Sequence, residues 1–409
     1  VYRRMRFDIL KDRAQGNLWM IRTDGTGHQK MTSREVSESR PTWSPDGQRL
    51  AFVSATDEGS EIYIYWLDSG KFARLTQLPA SPGSLSWSPD GKQLAFTMNV
   101  PEKAPVIVNL PPKPKNAKWA GPPRITDRVY HEADGRGYIP PGFSHLFVVP
   151  SEGGAARQVS TGNYNHRGPV AWSSDGTALY FTGNRTEDWE YDFRNSEIYR
   201  LTLNSGAIEA LTDSPGPDRG LVISPDGQYI AYTGYTDRTQ AHQTSELRLM
   251  NADGSGKRTL TTDLDRSVSG LAWDARSKGL YFSYDDKGNT KIGYAPLSGD
   301  VQKRADNVGG TSIGRPYGGG SFSVSADGTL AYTLTRPEFP SDIAILGARD
   351  KAPKRITELN RGLLDQRKLG EVEEIWYTST VDGRDIQGWI VYPPDYDANK
   401  KYPLLVENH

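Results

Sequence analysis

A short turn sequence recurs along this chain and constrains its fold more than any other feature. Five copies of a Ser-(Pro/Ser/Ala)-Asp-Gly motif lie at 44–47, 88–91, 173–176, 224–227 and 325–328, and a degraded sixth copy lies at 273–276. Pro presets φ at the second position, Asp tolerates the third, and Gly adopts the positive φ that reverses the chain. Each copy therefore predicts a tight β-hairpin.

Strands follow each hairpin at a regular spacing. An apolar, β-prone triplet such as 50–52 comes directly after the motif, a third strand such as 62–66 follows, and the fourth commonly ends in Leu-Thr, as at 75–76. Four antiparallel strands at a period of about 44 to 51 residues are typical of the blades of a β-propeller.

Six hairpins but seven third strands are present. The extra third strand, at 18–21, has no complete hairpin before it, so the first blade is expected to be incomplete. We therefore predict an all-β fold, a seven-bladed β-propeller over residues 1–358. Residues 1–4 have neither an initiator Met nor a signal-peptide pattern and lie within a strand, so we expect the natural N-terminus to be upstream.

Loop length separates the two faces of the predicted propeller. The turns between first and second strands and between third and fourth strands lie on one face, because strand direction alternates within a blade. The loops between second and third strands and the connections between blades lie on the other, which we call the loop face. Three of these loops are enlarged, at about 99–142, 183–196 and 234–244. Because the last strand also ends there, we expect any downstream domain to dock on the loop face, where function is expected as well.

Composition excludes several partners and sites. Lys plus Arg (49) nearly equals Asp plus Glu (50), which gives no large basic field for nucleic acid or an acidic membrane surface. No apolar run is long enough to span a membrane. The absence of Cys excludes disulfides and thiolate metal ligands and is compatible with bacterial cytoplasm or periplasm. Only six His are present and none recurs at the first strands, which disfavours a metal in the central channel; no metal or cofactor is expected.

The repeat ends after residue 358. Residues 359–372 are predicted to be a linker, and 373–380, 386–392 and 402–409 to be three strands of a new domain. The segments Ile386-Gln-Gly-Trp-Ile-Val-Tyr-Pro-Pro394 and Lys400-Lys-Tyr-Pro-Leu-Leu-Val-Glu-Asn-His409 resemble the start of the α/β-hydrolase domain of prolyl-oligopeptidase-like serine peptidases. Residues 373–409 are therefore expected to be the truncated start of that catalytic domain.

The blades themselves are TolB-like, and three segments are similar to the acylaminoacyl-peptidase and dipeptidyl-aminopeptidase branch of the same family. These segments are 17–19, 134–138 and 195–199. The resemblance implies a Ser-Asp-His triad that lies beyond this chain, with His409 at the beginning of the oxyanion loop. The chain alone is thus expected to contain no catalytic residue and to be inactive.

The function implied by the resemblance is the gating propeller of a serine exopeptidase that releases N-terminal dipeptides or acyl-amino acids from short peptides. Its partners would be the C-terminal hydrolase domain and short peptides, and a homo-oligomer is compatible with it. The alternative is a non-catalytic TolB-like propeller that binds a protein partner. A pure binding module has no reason to carry residues 386–409, which favours the peptidase.

Two loops supply candidate substrate-binding residues. In family members that remove dipeptides, acidic propeller groups hold the substrate amine, which makes Glu187, Asp188 and Glu190 candidates; the alternative is an ordinary solvated loop. The long insertion supplies His131, Arg136 and Tyr138, either as pocket or interface residues or as parts of a structural lid. Asp253-Gly254 and Asp285-Asp286 lack the ligand spacing of a calcium loop and are predicted to be turns.

Overall fold

Seven small antiparallel sheets contain almost all of the regular structure. The computed structural model describes residues 1–102, 111–120, 125–135, 137–310 and 319–407. Each sheet corresponds to one predicted blade, and six of the seven have four strands. The all-β, seven-bladed propeller predicted from the repeat is thus confirmed.

The first three blades contain the following strands. Blade 1 contains β1 (Tyr2–Asp8), β2 (Arg13–Met20) and β3 (Gln29–Lys30). Blade 2 contains β4 (Glu38–Trp43), β5 (Arg49–Thr56), β6 (Gly59–Trp66) and β7 (Phe72–Arg74). Blade 3 contains β8 (Gly83–Trp87) and β9 (Gln93–Pro101) and, after a separate hairpin of β10 (Glu132–Ala133) and β11 (Gly137–Tyr138), β12 (Gly142–Pro150) and β13 (Arg157–Gln158).

Four more blades follow. Blade 4 contains β14 (Arg167–Trp172), β15 (Ala178–Gly183), β16 (Glu197–Thr202) and β17 (Ile208–Ala210). Blade 5 contains β18 (Asp218–Ile223), β19 (Tyr229–Gly234), β20 (Glu246–Asn251) and β21 (Arg258–Thr259). Blade 6 contains β22 (Val268–Trp273), β23 (Gly279–Asp286), β24 (Asn289–Pro296) and β25 (Gln302–Ala305). Blade 7 contains β26 (Phe322–Val324), β27 (Leu330–Arg336), β28 (Phe339–Leu346) and β29 (Lys354–Arg355).

The segment after the blades contains one helical turn, α1 (Arg361–Leu364), and a hairpin of β30 (Val372–Thr378) and β31 (Asp385–Val391). The third strand predicted at 402–409 is not formed by residues 401–407, and 408 and 409 lie outside the described residues. A strand forms only where a neighbour accepts and donates its backbone hydrogen bonds, and β30 and β31 pair with each other. None of the described helices is long and apolar enough to cross a membrane.

The chain divides into two compact units. The first comprises residues 1–282 and 295–301, and the second comprises 283–294 and 302–409. Within the second unit, the β30–β31 hairpin contacts the turn between β23 and β24. Gln387 Nε2 donates to the Lys287 carbonyl (2.9 Å) and to Glu374 Oε1 (2.8 Å). The Lys287 ammonium also lies 5.5 Å from the centre of the Trp376 ring. The hairpin therefore contacts a loop of the predicted loop face.

The recurrent turn is held by its own side chains. Ser88 Oγ donates to Asp90 Oδ1 (2.6 Å) and accepts from the Gln93 backbone N–H (2.9 Å). Gly91 has φ +68°, the left-handed conformation that closes the turn. The Ser88 hydrogen bond is the main reason that the pKa of Asp90 lies below its usual range. Each motif is thus a self-contained turn.

The Trp before the motif connects successive blades. Trp87 Nε1 donates to the Thr42 carbonyl (3.0 Å), and equivalent bonds join Trp172 to Ser86 (3.3 Å) and Trp273 to Val222 (3.2 Å). Each acceptor lies in the first strand of the preceding blade. Blade 1 has no such strand in the described part of the chain, and Trp43, the first Trp of the series, is 44% exposed.

In several blades, a buried carboxylate of the third strand is hydrogen-bonded to a threonine just after the fourth strand. Thr76 Oγ1 accepts from the Ile62 N–H (3.0 Å) and donates to Glu61 Oε2 (2.7 Å), while the Leu78 N–H donates to Glu61 Oε1 (2.9 Å). Glu197 with Thr212 and Asp342 with Thr357 repeat the arrangement. We call this pair the carboxylate clasp. It explains why the fourth strand ends in Leu-Thr, since the Thr bonds the backbone of the third strand.

We expect Thr76→Val to lower the free energy of unfolding by about 1 to 3 kcal/mol, because it leaves a buried carboxylate without its hydroxyl donor. Urea unfolding followed by Trp fluorescence measures the loss. Thr259→Val, on the fourth strand of blade 5, is the matched control and is expected to change stability by less than about 0.5 kcal/mol. Equal stability of the two variants contradicts a stabilising clasp.

Glu197 gives the clasp of blade 4 a pH dependence. Burial is the main cause that raises the pKa of Glu197 to about 7 from an ordinary value of 4.5, and the Thr212 hydrogen bond opposes the rise. The folded state therefore binds the proton more tightly than the unfolded chain does. This contribution to stability is fully present below about pH 4.5 and is lost as the pH rises through 7.

We expect Glu197→Gln to remove this dependence, because the amide does not ionise. The unfolding free energy of the variant relative to the original protein is expected to rise between pH 5 and pH 8 by on the order of 2 kcal/mol. Urea unfolding at several pH values tests this, with the exposed Glu209→Gln as control. Parallel pH profiles for the Glu197 variant and the original protein contradict the assignment.

Candidate functional site

A cavity of about 270 Å³ lies among loops of blades 3, 4 and 5. Its walls come from the starts of β14 and β18, the end of β15, and the loop 184–196 between β15 and β16, and Tyr130 of the long insertion reaches it. These segments belong to the second-to-third-strand loops and blade connections that define the loop face. The repeat thus places the irregular segments together, and the cavity forms where they meet.

The acidic loop contributes one carboxylate to this cavity. Glu190 lines it, and Glu190 Oε2 accepts a hydrogen bond from the Val129 N–H (3.2 Å). This bond joins the acidic loop to the long insertion, the two segments that the sequence singled out. Glu187 and Asp188 are exposed and do not line the cavity. The Asp188 carbonyl accepts from the Tyr191 N–H (2.8 Å), which makes Asp188 part of a turn.

The candidates in the insertion lie around its small hairpin. The rings of His131 and Tyr138 are 6.2 Å apart, and both residues are exposed. His131 Nδ1 is hydrogen-bonded to the Val129 carbonyl (3.0 Å). Neither ring lines the cavity. Arg136 and His409, two other residues of the sequence-based predictions, lie outside the described residues.

Aromatic packing fixes the insertion beside the cavity. The Arg128 guanidinium lies 4.3 Å from the centre of the Phe143 ring and pairs with Glu102. Trp189, which lines the cavity, packs edge-on against the same Phe143 ring at 6.0 Å. The base of the insertion and the acidic loop therefore share one aromatic anchor.

Sequence reasoning missed a buried histidine under the acidic loop. His166 is fully buried, and its Nδ1 lies 3.1 Å from the Ser144 carbonyl while Arg185 Nη1 lies 2.7 Å from its Nε2. Because a guanidinium only donates, Nε2 is the acceptor and Nδ1 carries the hydrogen. Burial is the main cause that lowers the pKa of His166 to about 4, so the ring is neutral at pH 7.

Arg185 links this histidine to the loop that carries Glu190. Its guanidinium lies 4.8 Å from the Tyr164 ring centre and 5.9 Å from that of Tyr199. The base of the loop is thereby held between two aromatic rings. No spacing in the sequence indicates this contact, because His166 lies just before β14 and Arg185 just after β15, and the two meet only when these strands pair.

Three arginines of the cavity wall were also missed. Arg167, Arg194 and Arg219 line the cavity, and all three are exposed. Asn195 lines it too, and its buried Oδ1 accepts no hydrogen bond. Over the part of the chain that the structure describes, the cavity lining therefore presents three cations and one carboxylate. Among the described residues, no group of three or more His, Cys, Asp or Glu side chains is arranged to hold a metal ion.

Comparison with known proteins gives matches along the whole chain. The model of the TolB β-propeller domain matches residues 10–107, and that of the dipeptidyl peptidase IV N-terminal region matches 132–241. Dipeptidyl-peptidase 5 of Porphyromonas gingivalis is 27% identical over 98% of this chain and 58% of its own length. The uncharacterized peptidase YuxL of Bacillus subtilis is 26% identical over 98% of this chain and 61% of its own length.

Among solved structures, the acylaminoacyl peptidase of Pyrococcus horikoshii superposes with a TM-score of 0.73 at 16% identity. The superposition covers 98% of this chain and 57% of the peptidase. At that identity the likeness establishes the fold alone. The chain thus spans about three fifths of the length of the relatives it matches. These matches confirm the resemblance seen in the sequence and relate the chain, over nearly its whole length, to the prolyl-oligopeptidase-like family of peptidases.

Proposed function

We propose that this chain is the propeller part of a serine exopeptidase that acts on short peptides. The observation that carries the proposal is the cavity on the loop face, in which the Glu190 carboxylate lies beside aromatic walls. The propeller limits access by size and supplies part of the substrate pocket. The substrates are short peptides from which an N-terminal dipeptide or an acyl-amino acid is released.

Glu190 is the residue we assign to the free amine of the substrate. One oxygen of its carboxylate is oriented by the Val129 N–H, and a protonated amine is a charge-assisted donor to such a group. Asn195 lines the same wall, but its Oδ1 is buried without a hydrogen-bond donor and is not exposed to the cavity. We do not assign this role to Glu187 and Asp188, because both are exposed and lie outside the cavity.

The reaction itself belongs to the hydrolase domain that we assign to residues 373–409 and the polypeptide that follows. Matches over 98% of the chain include most of this segment, and the relatives are longer. In the family, a Ser nucleophile, an Asp and a His supply the chemistry, and backbone N–H groups stabilise the oxyanion. We place the start of the oxyanion loop at His409. The chain alone is then a substrate-selecting component without activity.

A non-catalytic TolB-like binding module is the second candidate function. The match of the TolB model to residues 10–107 favours it, but that match covers the blade repeat alone. The peptidase relatives match beyond the blades as well, which supports the peptidase.

The test is the activity of the full gene product. We expect it to bind a fluorophosphonate probe covalently and to hydrolyse dipeptidyl or acyl-aminoacyl chromogenic substrates, because a Ser nucleophile reacts with both. The 409-residue chain alone is expected to do neither. A full-length protein that binds no probe and releases no product contradicts the peptidase and leaves the binding module.

In the full-length protein, we expect Glu190→Gln to lower kcat/KM for dipeptidyl substrates with a free amine by at least about tenfold, chiefly through KM, since the charge-assisted bond is lost. Substrates with a blocked amine are expected to change less than about twofold. Steady-state kinetics on paired free and N-acetylated substrates measure both, with Glu209→Gln as control. An equal loss on both substrates contradicts the assignment of Glu190 to the amine.

A further inference from the structure

The cavity that contains Glu190 carries an excess of positive charge, and we infer that it is a subsite for a carboxylate side chain near the amino end of a peptide. Its occupant would be a short peptide with Asp or Glu among its first residues. This inference rests on the proposed function, because it names the class of peptide that the same site selects. It adds an anion-binding role to the amine-binding role of Glu190.

Charge is the first argument. Among the described residues, the charged ones that line the cavity are Arg167, Arg194, Arg219 and Glu190, which together carry a net charge of two positive. An arginine remains protonated at all ordinary pH values and presents a planar fork that matches a carboxylate. A neutral peptide places its protonated amine on Glu190 and offers the guanidinium groups only uncharged carbonyl oxygens. An acidic side chain satisfies both kinds of group.

The three cavity arginines also lack a carboxylate partner within the described part of the chain. Within the described ranges of the chain, none of the three arginines has a carboxylate oxygen within ion-pair distance. Hydrogen bonds from Gln243 and Thr239 are the main causes that lower the pKa of Asp237, and the charge of Arg194 is a lesser one. Other arginines around the site are engaged: Arg128 pairs with Glu102, and Arg185 is bonded to His166. The three cavity arginines therefore remain open to an external anion.

The repeat provides an internal control for two of these arginines. Arg167 lies opposite Thr182 in blade 4, and Arg219 lies opposite Thr233 in blade 5, each just before the irregularity in the first strand. The equivalent residue is Ser39 in blade 2 and Gly83 in blade 3. A blade thus forms without arginine at this position. Arginine occupies it in the two adjacent blades that border the cavity.

The size of the cavity limits the ligand. Its volume of about 270 Å³ lies just below the range of about 300 to 1,000 Å³ that is usual for small-molecule pockets. It therefore suits one or two residues of a peptide rather than a longer segment. Tyr130, Trp189 and Phe193 supply the aromatic part of its wall, which suits the aliphatic part of such a ligand.

Binding of matched peptides to the 409-residue chain tests the inference. The tripeptides Ala-Asp-Ala and Ala-Asn-Ala, each with a free amine and an amidated C-terminus, differ only in the carboxylate. Isothermal titration calorimetry is expected to give at least about tenfold tighter binding of the Asp peptide. This preference is expected to weaken as salt rises from 50 to 500 mM, because exposed charges are screened.

The double variant Arg167→Ser/Arg219→Ser places the blade 2 residue at both positions and is expected to reduce the preference to less than about twofold. The matched control is Arg258→Ser, an exposed arginine on β21 outside the cavity, which is expected to keep the full preference. Unchanged circular dichroism and thermal midpoints establish that the variants are folded. Equal affinities for the two peptides, binding of neither at millimolar concentration, or a preference that survives the double variant overturns the inference.

The peptide-binding test and the activity test of the proposed function can fail independently of each other. A full-length protein that hydrolyses neutral dipeptidyl substrates while the chain shows no preference for Asp keeps the peptidase and removes the acidic subsite. A chain that prefers the Asp peptide, in a protein that binds no fluorophosphonate, keeps the anion-binding site and removes the peptidase.

Discussion

The burial of apolar side chains between successive blades is the constraint on which the rest of this structure depends. A single four-stranded sheet has two faces, and neither can be left in water without losing the free energy of apolar burial. The second strand of blade 2 shows how both faces of a sheet are buried. Leu50 and Phe52 are buried in the cluster with blade 1, whereas Ala51 lies in the cluster with blade 3. Because side chains alternate along a strand, blade 2 contributes to the core on both of its sides.

This constraint explains the division of the molecule into a regular part and an irregular part. The Trp before four of the six motifs and the carboxylate clasp recur because each one fixes a blade or its junction to the preceding blade, and the junction geometry repeats. The Ser-Asp-Gly turns are short because they only reverse the chain. The loops at the opposite ends of the strands do not fix the blades to each other. They therefore accept insertions, such as the one that contains Tyr130 and Arg128, without loss of the core.

The candidate site follows from that freedom. Its floor consists of strand ends whose position is fixed by the sheets, and its walls consist of loops that are anchored by a few strong contacts. Phe143 is packed against both Arg128 and Trp189, and Arg185 is held between two tyrosines and bonded to His166. A loop so anchored holds Glu190 in place before any ligand arrives, and preorganisation of this kind reduces the ordering cost of binding. Variation of a few residues at the strand starts, such as Arg167 and Arg219, changes the charge of the cavity and leaves the blades intact.

The sequence by itself determined the blades, because their signal is local and repeated: the turn residues, the apolar triplets and the Leu-Thr endings lie within a few residues of each other. It also indicated the loop face and the acidic loop, since loop length depends only on spacing along the chain. The tertiary structure alone decided which residues of those loops meet. Glu190 reaches the cavity while Glu187 and Asp188 do not, and Arg167, Arg219 and His166 gain their neighbours from other strands and blades. Those contacts join residues that are distant in the chain, and their geometry is set by the packing of whole blades rather than by any local pattern.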